Sequence, residues 1–209
     1  MNKTNWLIIL CILISFTVWM IGENQNQILD NLVFSGQNLL NGRIWTVITG
    51  LFLHADLTHL IGNMIFLYIF GNTIENELGD KWVLVPFFVG GVGSFLLSTL
   101  FYDPSVSMIG ASAAIFTLTA IVMLLKPLKF SFYFFMPLGL VAIIYFSYNL
   151  IATQMGVGGS VSYIGHIIGF SIGIPFAIAS NEKWHKNLLI AIFLFIIYQI
   201  ITWFLPETE

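Results

Sequence analysis

The 209-residue chain has little charge: only 8% of its residues are Asp, Glu, Lys or Arg, against about 25% in soluble domains. It carries one cysteine, Cys11, which excludes a disulfide framework and a cysteine-based metal site. Its net charge of −3 provides no basic surface of the kind that nucleic acid requires, so we expect no nucleic-acid partner. The shortage of charged residues excludes an ordinary water-soluble globule.

Hydrophobic residues make up 58% of the chain. A helix needs about 20 mostly apolar residues to cross a lipid bilayer, and several stretches approach that length. We therefore predict an all-α fold, a polytopic membrane helix bundle surrounded by the lipid bilayer. The predicted spans are residues 6–21, 49–70, 82–101, 111–125, 132–151, 161–179 and 188–205.

The first apolar run has a basic residue ahead of it, as a signal peptide would. Its end, Trp19 to Ile21, does not resemble a small-residue cleavage site, so we expect an uncleaved helix. If the seven spans alternate from a cytoplasmic N-terminus, six of the seven Lys and Arg residues fall inside and only Arg43 falls outside. This positive-inside bias predicts a multi-pass protein of the cell membrane with an extracytoplasmic C-terminus, residues 207–209.

Polar residues inside a membrane are costly, so each is a candidate for a functional role. Three spans carry such residues close to the extracytoplasmic face, and at 1.5 Å per residue their depths are similar. We therefore expect these groups to share one layer. They are His54, His59 and Asn63 on the second span, Ser112 at the start of the fourth, and His166 on the sixth.

Ser112 follows Gly110 at the start of a short span. Such a serine either caps or packs the helix or is a nucleophile, because a glycine turn that opens a helix leaves backbone N–H groups free for an oxyanion. His166 flanks a stripe of glycines at 165, 169 and 173, which favours close helix approach. It is either a packing histidine or a general base for a neighbouring hydroxyl.

His59 and Asn63 are four residues apart, so both side chains share a helix face and can donate hydrogen bonds to an oxyanion. His54 would lie about 140° around the same helix from His59, which argues against a two-histidine metal site. We expect His54 to brace the loop instead. Two glutamates just beyond this span, Glu75 and Glu77, are expected at the cytoplasmic rim, with Glu75 tying the span to the adjoining loop.

The order and spacing of three motifs resemble the signatures of the rhomboid family of intramembrane serine proteases over about residues 43 to 180. The matching residues are His54, His59 and Asn63; Gly110 and Ser112; and His166 with Gly169 and Gly173.

The resemblance implies a catalytic dyad of Ser112 and His166 with no third acidic member. It also implies that His59, Asn63 and the Ser112 backbone N–H hold the oxyanion. Neither a metal nor another cofactor is implied. The substrates would be single-span transmembrane proteins, cleaved near the extracytoplasmic face. The sequence gives no indication of an oligomeric state.

The implied architecture is a six-helix catalytic core, residues 1–180, followed by a seventh transmembrane helix within residues 181–209. A long extracytoplasmic loop, residues 22–48, joins the first two spans, and its Phe34 and Trp45 favour the membrane interface. Phe116 takes the place of a tyrosine common in the family and still offers His166 a ring. Ala113 replaces a motif glycine. The family's Trp-Arg pair reads Trp45-Thr46, with Arg43 nearby.

The sequence argues against several other functions. The chain has no His-Glu-x-x-His metalloprotease motif, no paired intramembrane aspartates and no internal repeat typical of a transporter. Lys126 is about 21 Å along the helix from Ser112, which excludes a Ser–Lys dyad. The alternative that stays open is a catalytically inactive rhomboid-like protein that binds or displaces transmembrane helices.

Peptide hydrolysis needs water, which the bilayer core excludes, so the dyad requires a polar cavity that opens outward. The short fourth span leaves room for such a cavity. We expect the loop ahead of the sixth span to act as a movable cover, because Gly156, Gly158 and Gly159 make it flexible.

Overall fold

The computed structural model describes residues 2–21, 25–156 and 162–204. These residues are mainly helical, and among them is one two-stranded antiparallel hairpin that pairs Phe130 with Pro137 and Ser131 with Met136. The elements are α1 (Lys3–Met20), α2 (Gln25–Leu32), α3 (Gly36–Leu40), α4 (Thr46–Thr49), α5 (Leu57–Leu78), α6 (Lys81–Ser98), α7 (Ser112–Leu125), β1 (Phe130–Ser131), β2 (Met136–Pro137), α8 (Leu138–Gln154), α9 (Tyr163–Ser180) and α10 (Trp184–Phe204).

Five of the described helices are long and apolar enough to cross a membrane: α1, α5, α6, α9 and α10. Two shorter apolar helices, α7 and α8, complete the bundle. The predicted fold class, a polytopic membrane helix bundle, is therefore confirmed. The six-plus-one division into residues 1–180 and 181–209 stays a prediction.

The second span differs from its prediction at both ends. It begins at Leu57 rather than Thr49, because the Asp56 side chain accepts a hydrogen bond from the His59 backbone N–H at 2.8 Å and caps a new helix there. It continues to Leu78 rather than ending at residue 70. Consequently His54 precedes the helix, whereas Glu75 and Glu77 lie in its last turns.

Glu75 ties α5 to the start of α1. The prediction that it ties this span to the adjoining loop is therefore wrong. The Glu75 carboxylate accepts hydrogen bonds from Lys3 N at 2.6 Å, Thr4 N at 2.9 Å and Thr4 Oγ1 at 2.6 Å. Backbone N–H groups of a first helical turn have no intrahelical acceptor, so a carboxylate there caps the helix. Glu77 forms an ion pair with Lys126 at 2.9 Å. Both glutamates fasten the end of the bundle opposite Ser112.

The short helix α7 occupies the centre of the bundle. Every residue from Ala113 to Leu124 is buried, and α5, α6, α8, α9 and α10 all pack against it. A fully surrounded helix needs apolar or small residues on every face, which is what its sequence provides. Its first residue, Ser112, thus lies inside the bundle although it is close to one end.

Helices α7 and α9 approach until their backbones are in contact. A Cβ atom on Gly169 would collide with the carbonyl oxygen of Ala113, and one on Gly173 with that of Thr117. The Thr117 hydroxyl donates a hydrogen bond to the Gly169 carbonyl across the interface at 2.8 Å. This contact sets the position of His166, one turn before Gly169.

The last helix, α10, lies at the edge of the bundle. Ala191 is its one buried residue among those described. It packs against α7 and α8, and the Asn187 side chain donates a hydrogen bond to the Leu124 carbonyl at the end of α7 at 2.7 Å. Asn181, just before α10, donates to the same carbonyl at 2.9 Å.

Candidate active site

Ser112 and His166 meet at the open end of the bundle. The Ser112 Oγ and His166 Nε2 atoms are 2.7 Å apart, within hydrogen-bonding distance. Ser112 is the first residue of α7, and His166 lies in the first turn of α9 and is only 6% exposed. Two residues 54 positions apart in the sequence are thus joined by the glycine-mediated contact between their helices.

The other imidazole nitrogen of His166 contacts a residue that the sequence analysis did not select. Its Nδ1 atom lies 2.7 Å from Oδ1 of Asn149, which is on α8 and 1% exposed. The Asn149 Nδ2 atom donates to the carbonyl of Tyr145 at 2.8 Å. Asn149 is a polar residue within a predicted apolar span, so the rule that selected His166 also applied to it; it belongs to no motif, which is why it was overlooked.

The His166 ring lies between aromatic and hydrogen-bonding partners. It stacks on Phe116, with ring centroids 4.5 Å apart and planes 12° from parallel. Phe116 in turn stacks on Tyr145 at 4.3 Å. The phenylalanine that replaces the expected tyrosine therefore supplies the ring on which the imidazole packs. With Ser112 and Asn149 at its two nitrogens, His166 has little rotational freedom.

His59 and Asn63 line the same cavity as Ser112 and His166, and Gly110 lies against both of them. Gly110 has φ +107°, a conformation that favours glycine, and a Cβ atom there would lie 2.8 Å from His59 Cε1 and 3.5 Å from Asn63 Nδ2. The Gly110 backbone N–H donates to the Gly50 carbonyl at 2.8 Å, which fixes the turn. The buried Asn63 Nδ2 has no hydrogen-bond acceptor among the described residues. It is therefore a free donor beside the start of α7.

His54 lies closer to His59 than the predicted helix would have allowed, because it precedes α5. The two rings are 5.1 Å apart, edge to face. His54 Nδ1 lies 3.2 Å from the Ser15 hydroxyl, and the His54 carbonyl accepts from Trp19 Nε1 at 3.1 Å. These contacts brace the segment before α5 against α1. The described residues contain no group of three or more His, Cys, Asp or Glu side chains suited to a metal.

A cavity of about 600 Å³ opens over these residues. One cavity therefore contacts the serine–histidine pair together with His59 and Asn63. Its polar lining includes Ser112, His166, His59, Asn63, Tyr102 and Ser162.

The Ser162 and Tyr102 hydroxyls lie 3.5 Å apart at the edge of this cavity, ahead of α9. Of the predicted cover, Gly156 is exposed with φ +61°. Gly158 and Gly159 lie outside the described residues, as does the C-terminal segment 207–209, so the cover and the C-terminal orientation stay predictions.

The segment before Ser112 is held by the first long loop. Phe34 and Met108 exchange backbone hydrogen bonds of 3.2 and 2.7 Å, and Phe34 is fully buried in a parallel stack with Phe95 at 5.0 Å. The Ser105 hydroxyl and backbone N–H donate to Asp103, which holds the pKa of that carboxyl below its ordinary value. The segment thus enters α7 from an ordered support.

Arg43 and Trp45 hold the first long loop in place. Its Nη1 atom donates to the Asp30 carbonyl at 2.9 Å and to Asn38 Oδ1 at 3.0 Å. Trp45 Nε1 donates to the Asn31 carbonyl at 2.9 Å. The loop is therefore fastened by a guanidinium placed two residues before the tryptophan.

Comparison with known proteins gives consistent matches. The rhomboid domain model of protein families matches residues 41–183, about two thirds of the chain. The chain is 40% identical over 79 residues to rhomboid-like protein 11, chloroplastic, of Arabidopsis thaliana, covering 38% of this chain and 28% of that protein. It is 28% identical over 162 residues to rhomboid-like protease 3 of Toxoplasma gondii, covering 71% of this chain and 58% of that protein.

A further relative, RHOMBOID-like protein 12, mitochondrial, of Arabidopsis thaliana, is 36% identical over 78 residues. That match covers 37% of this chain and 23% of the plant protein. The chain thus spans less than two thirds of the length of each of these relatives. The rhomboid domain model begins near the end of the first long loop and ends just after α9. This range contains Ser112, His166, His59, Asn63 and Asn149.

Proposed function

The chain belongs to the rhomboid family, and from this premise we propose that it is an intramembrane serine endopeptidase. The observation that carries the proposal is the 2.7 Å contact between Ser112 Oγ and His166 Nε2 beneath an open cavity that polar side chains line in part. A serine hydroxyl is a weak nucleophile until an adjacent base accepts its proton. The nucleophile and the base are here within direct transfer distance.

In the proposed mechanism His166 Nε2 accepts the Ser112 hydroxyl proton as Oγ attacks the scissile carbonyl. The negative charge that develops on the carbonyl oxygen is stabilised by His59, Asn63 and the Ser112 backbone N–H. His166 then protonates the leaving amine, and the C–N bond breaks. A water molecule, deprotonated by the same nitrogen, hydrolyses the acyl-enzyme and restores the serine.

The proposed substrates are single-span transmembrane proteins. Their helix must unwind locally before a peptide bond can reach Ser112, so segments with small or helix-destabilising residues are favoured. The positive-inside distribution of the lysines supports a cell-membrane protein whose site opens to the extracytoplasmic side. Cleavage would then occur near that face of the membrane.

Cleavage in proteoliposomes tests the proposal. Wild-type protein is incubated with a single-span reporter and compared on a gel with Ser112→Ala and with Ser171→Ala as the control. Ser171 lies on α9, but its hydroxyl donates to the Ile167 carbonyl at 2.8 Å and takes no part in the site. We expect Ser112→Ala to lose cleavage at least about 10³-fold and Ser171→Ala to retain it.

Folded wild-type protein that cleaves none of several reporters would overturn the endopeptidase proposal. The function to test next would then be helix binding without catalysis, by co-purification of the intact reporter. Equal cleavage by wild type and Ser112→Ala would instead reject Ser112 as the nucleophile.

A further inference from the structure

Asn149 contacts His166 but belongs to none of the three motifs that resemble the rhomboid signatures. It lies on α8, whereas Ser112 and His166 lie on α7 and α9, so a third helix reaches the imidazole. Burial of an amide is costly unless its hydrogen bonds are made. Asn149 is 1% exposed and makes one bond with each end of its amide.

These two bonds fix which way the amide points. The Tyr145 carbonyl can only accept, so the group 2.8 Å from it must be the Asn149 NH₂. The oxygen then faces His166 Nδ1 at 2.7 Å, and because that oxygen can only accept, Nδ1 must carry the proton. In the neutral imidazole Nε2 is therefore unprotonated and can accept from Ser112 Oγ.

The geometry points to Asn149 as a positioning residue, which holds His166 in the Nδ1–H tautomer and aims Nε2 at Ser112. This inference rests on the proposed function. The opposite tautomer would place a proton on Nε2, and His166 would then donate to the serine instead of activating it. Asn149 also accepts the hydrogen bond that the Nδ1–H of an imidazolium donates after the proton transfer, so it stabilises the charged intermediate.

The kinetic test compares Asn149→Leu, which keeps the branched shape of the side chain and removes the acceptor, with Asn149→Asp, which keeps an acceptor. The control is Thr153→Val on the same helix, whose hydroxyl donates to the Asn149 backbone carbonyl at 2.9 Å. We expect Asn149→Leu to lower kcat about 10- to 100-fold with KM unchanged. We expect the kcat of Asn149→Asp to lie within about tenfold of the wild-type value. The kcat of Thr153→Val should equal the wild-type value.

A higher KM with unchanged kcat in Asn149→Leu would overturn the positioning role. Equal losses of kcat in the Leu and Asp variants would also overturn it. If Asn149→Leu does not fold, Asn149→Ala removes the same acceptor without adding bulk and gives the same comparison.

A second measurement does not need cleavage. ¹⁵N-histidine NMR of the Ser112→Ala protein reports which His166 nitrogen is protonated, with the signal assigned by its loss in His166→Ala. We expect the Nδ1–H tautomer with Asn149 present and the Nε2–H tautomer in Asn149→Leu. An Nε2–H signal with Asn149 intact would overturn the inference, whereas absence of cleavage by wild type would overturn only the proposed function.

Discussion

At the scale of single residues, the candidate site depends on atoms placed by very local constraints. Gly110 combines φ +107° with close contact to His59, so its backbone both turns the chain into α7 and lies against a residue that lines the cavity. An L-residue in the left-handed region costs about 1–2 kcal/mol. At Gly110 the added methyl group would also displace the imidazole of His59.

We therefore expect Gly110→Ala to reduce cleavage at least about tenfold through displacement of His59, beyond the effect of strain alone. Gly42→Ala is the matched control, because Gly42 also has a positive φ of 78° but nothing lies within 4 Å of its hypothetical Cβ. Reporter cleavage and thermal unfolding in detergent are measured for both. Loss of activity in both variants to the same degree would attribute the effect to backbone strain and not to His59.

At the scale of elements, α7 and α9 act as a unit through glycines that admit backbone contact. Pairs of helices in a membrane gain stability from packing and hydrogen bonds rather than from apolar burial. The Thr117 hydroxyl bond to the Gly169 carbonyl adds to that packing. The distance between Ser112 and His166 is thus a consequence of how closely two helices pack.

Gly169→Ala should separate the two helices, since the new Cβ would collide with the Ala113 carbonyl. Overpacking of this kind costs about 1–3 kcal/mol, so we expect a lower unfolding temperature together with reduced cleavage. Gly62→Ala on α5 is the control for the unfolding temperature alone, because its Cβ would meet no atom within 4 Å but the residue lines the cavity. An unchanged unfolding temperature in Gly169→Ala would show that the interface relaxes without loss.

At the scale of the whole molecule, polar contacts at the end opposite the site hold the first helix to the rest. Glu75 receives three hydrogen bonds from the start of α1, two of them from backbone N–H groups. Glu77, two residues later, makes a partly exposed ion pair with Lys126. The two carboxylates have similar positions on α5 but different partners.

We expect Glu75→Ala to lower the free energy of unfolding by about 1–3 kcal/mol, since it leaves the first turn of α1 without an acceptor. Glu77→Ala should cost at most about 1 kcal/mol, as exposed ion pairs do. Thermal unfolding in detergent, followed by circular dichroism, compares the two. Equal effects would mean that the three bonds to α1 add no more than a surface ion pair.

The sequence sufficed to predict the membrane class and the polar residues that share one layer, because an intramembrane polar group is conspicuous in an apolar run. It could not give the start of α5, because the cap by Asp56 competes with continuous apolar sequence. The proximity of His54 to His59 was missed for the same reason. Asn149 was detectable as a polar residue in an apolar span, but its contact with His166 required knowledge of which face of α8 meets α9, which apolar periodicity does not determine when lipid surrounds the bundle.

The contact between α7 and α9 has a further consequence for evolution. The atoms that set it belong mainly to the main chain: the carbonyls of Ala113, Thr117 and Gly169. Main-chain atoms are common to every amino acid, so most substitutions elsewhere on these helices leave the spacing untouched. We therefore expect exposed residues of α9, such as Ile174 and Ile178, to accept substitution without a change in the separation of the serine and histidine, whereas the contact glycines do not.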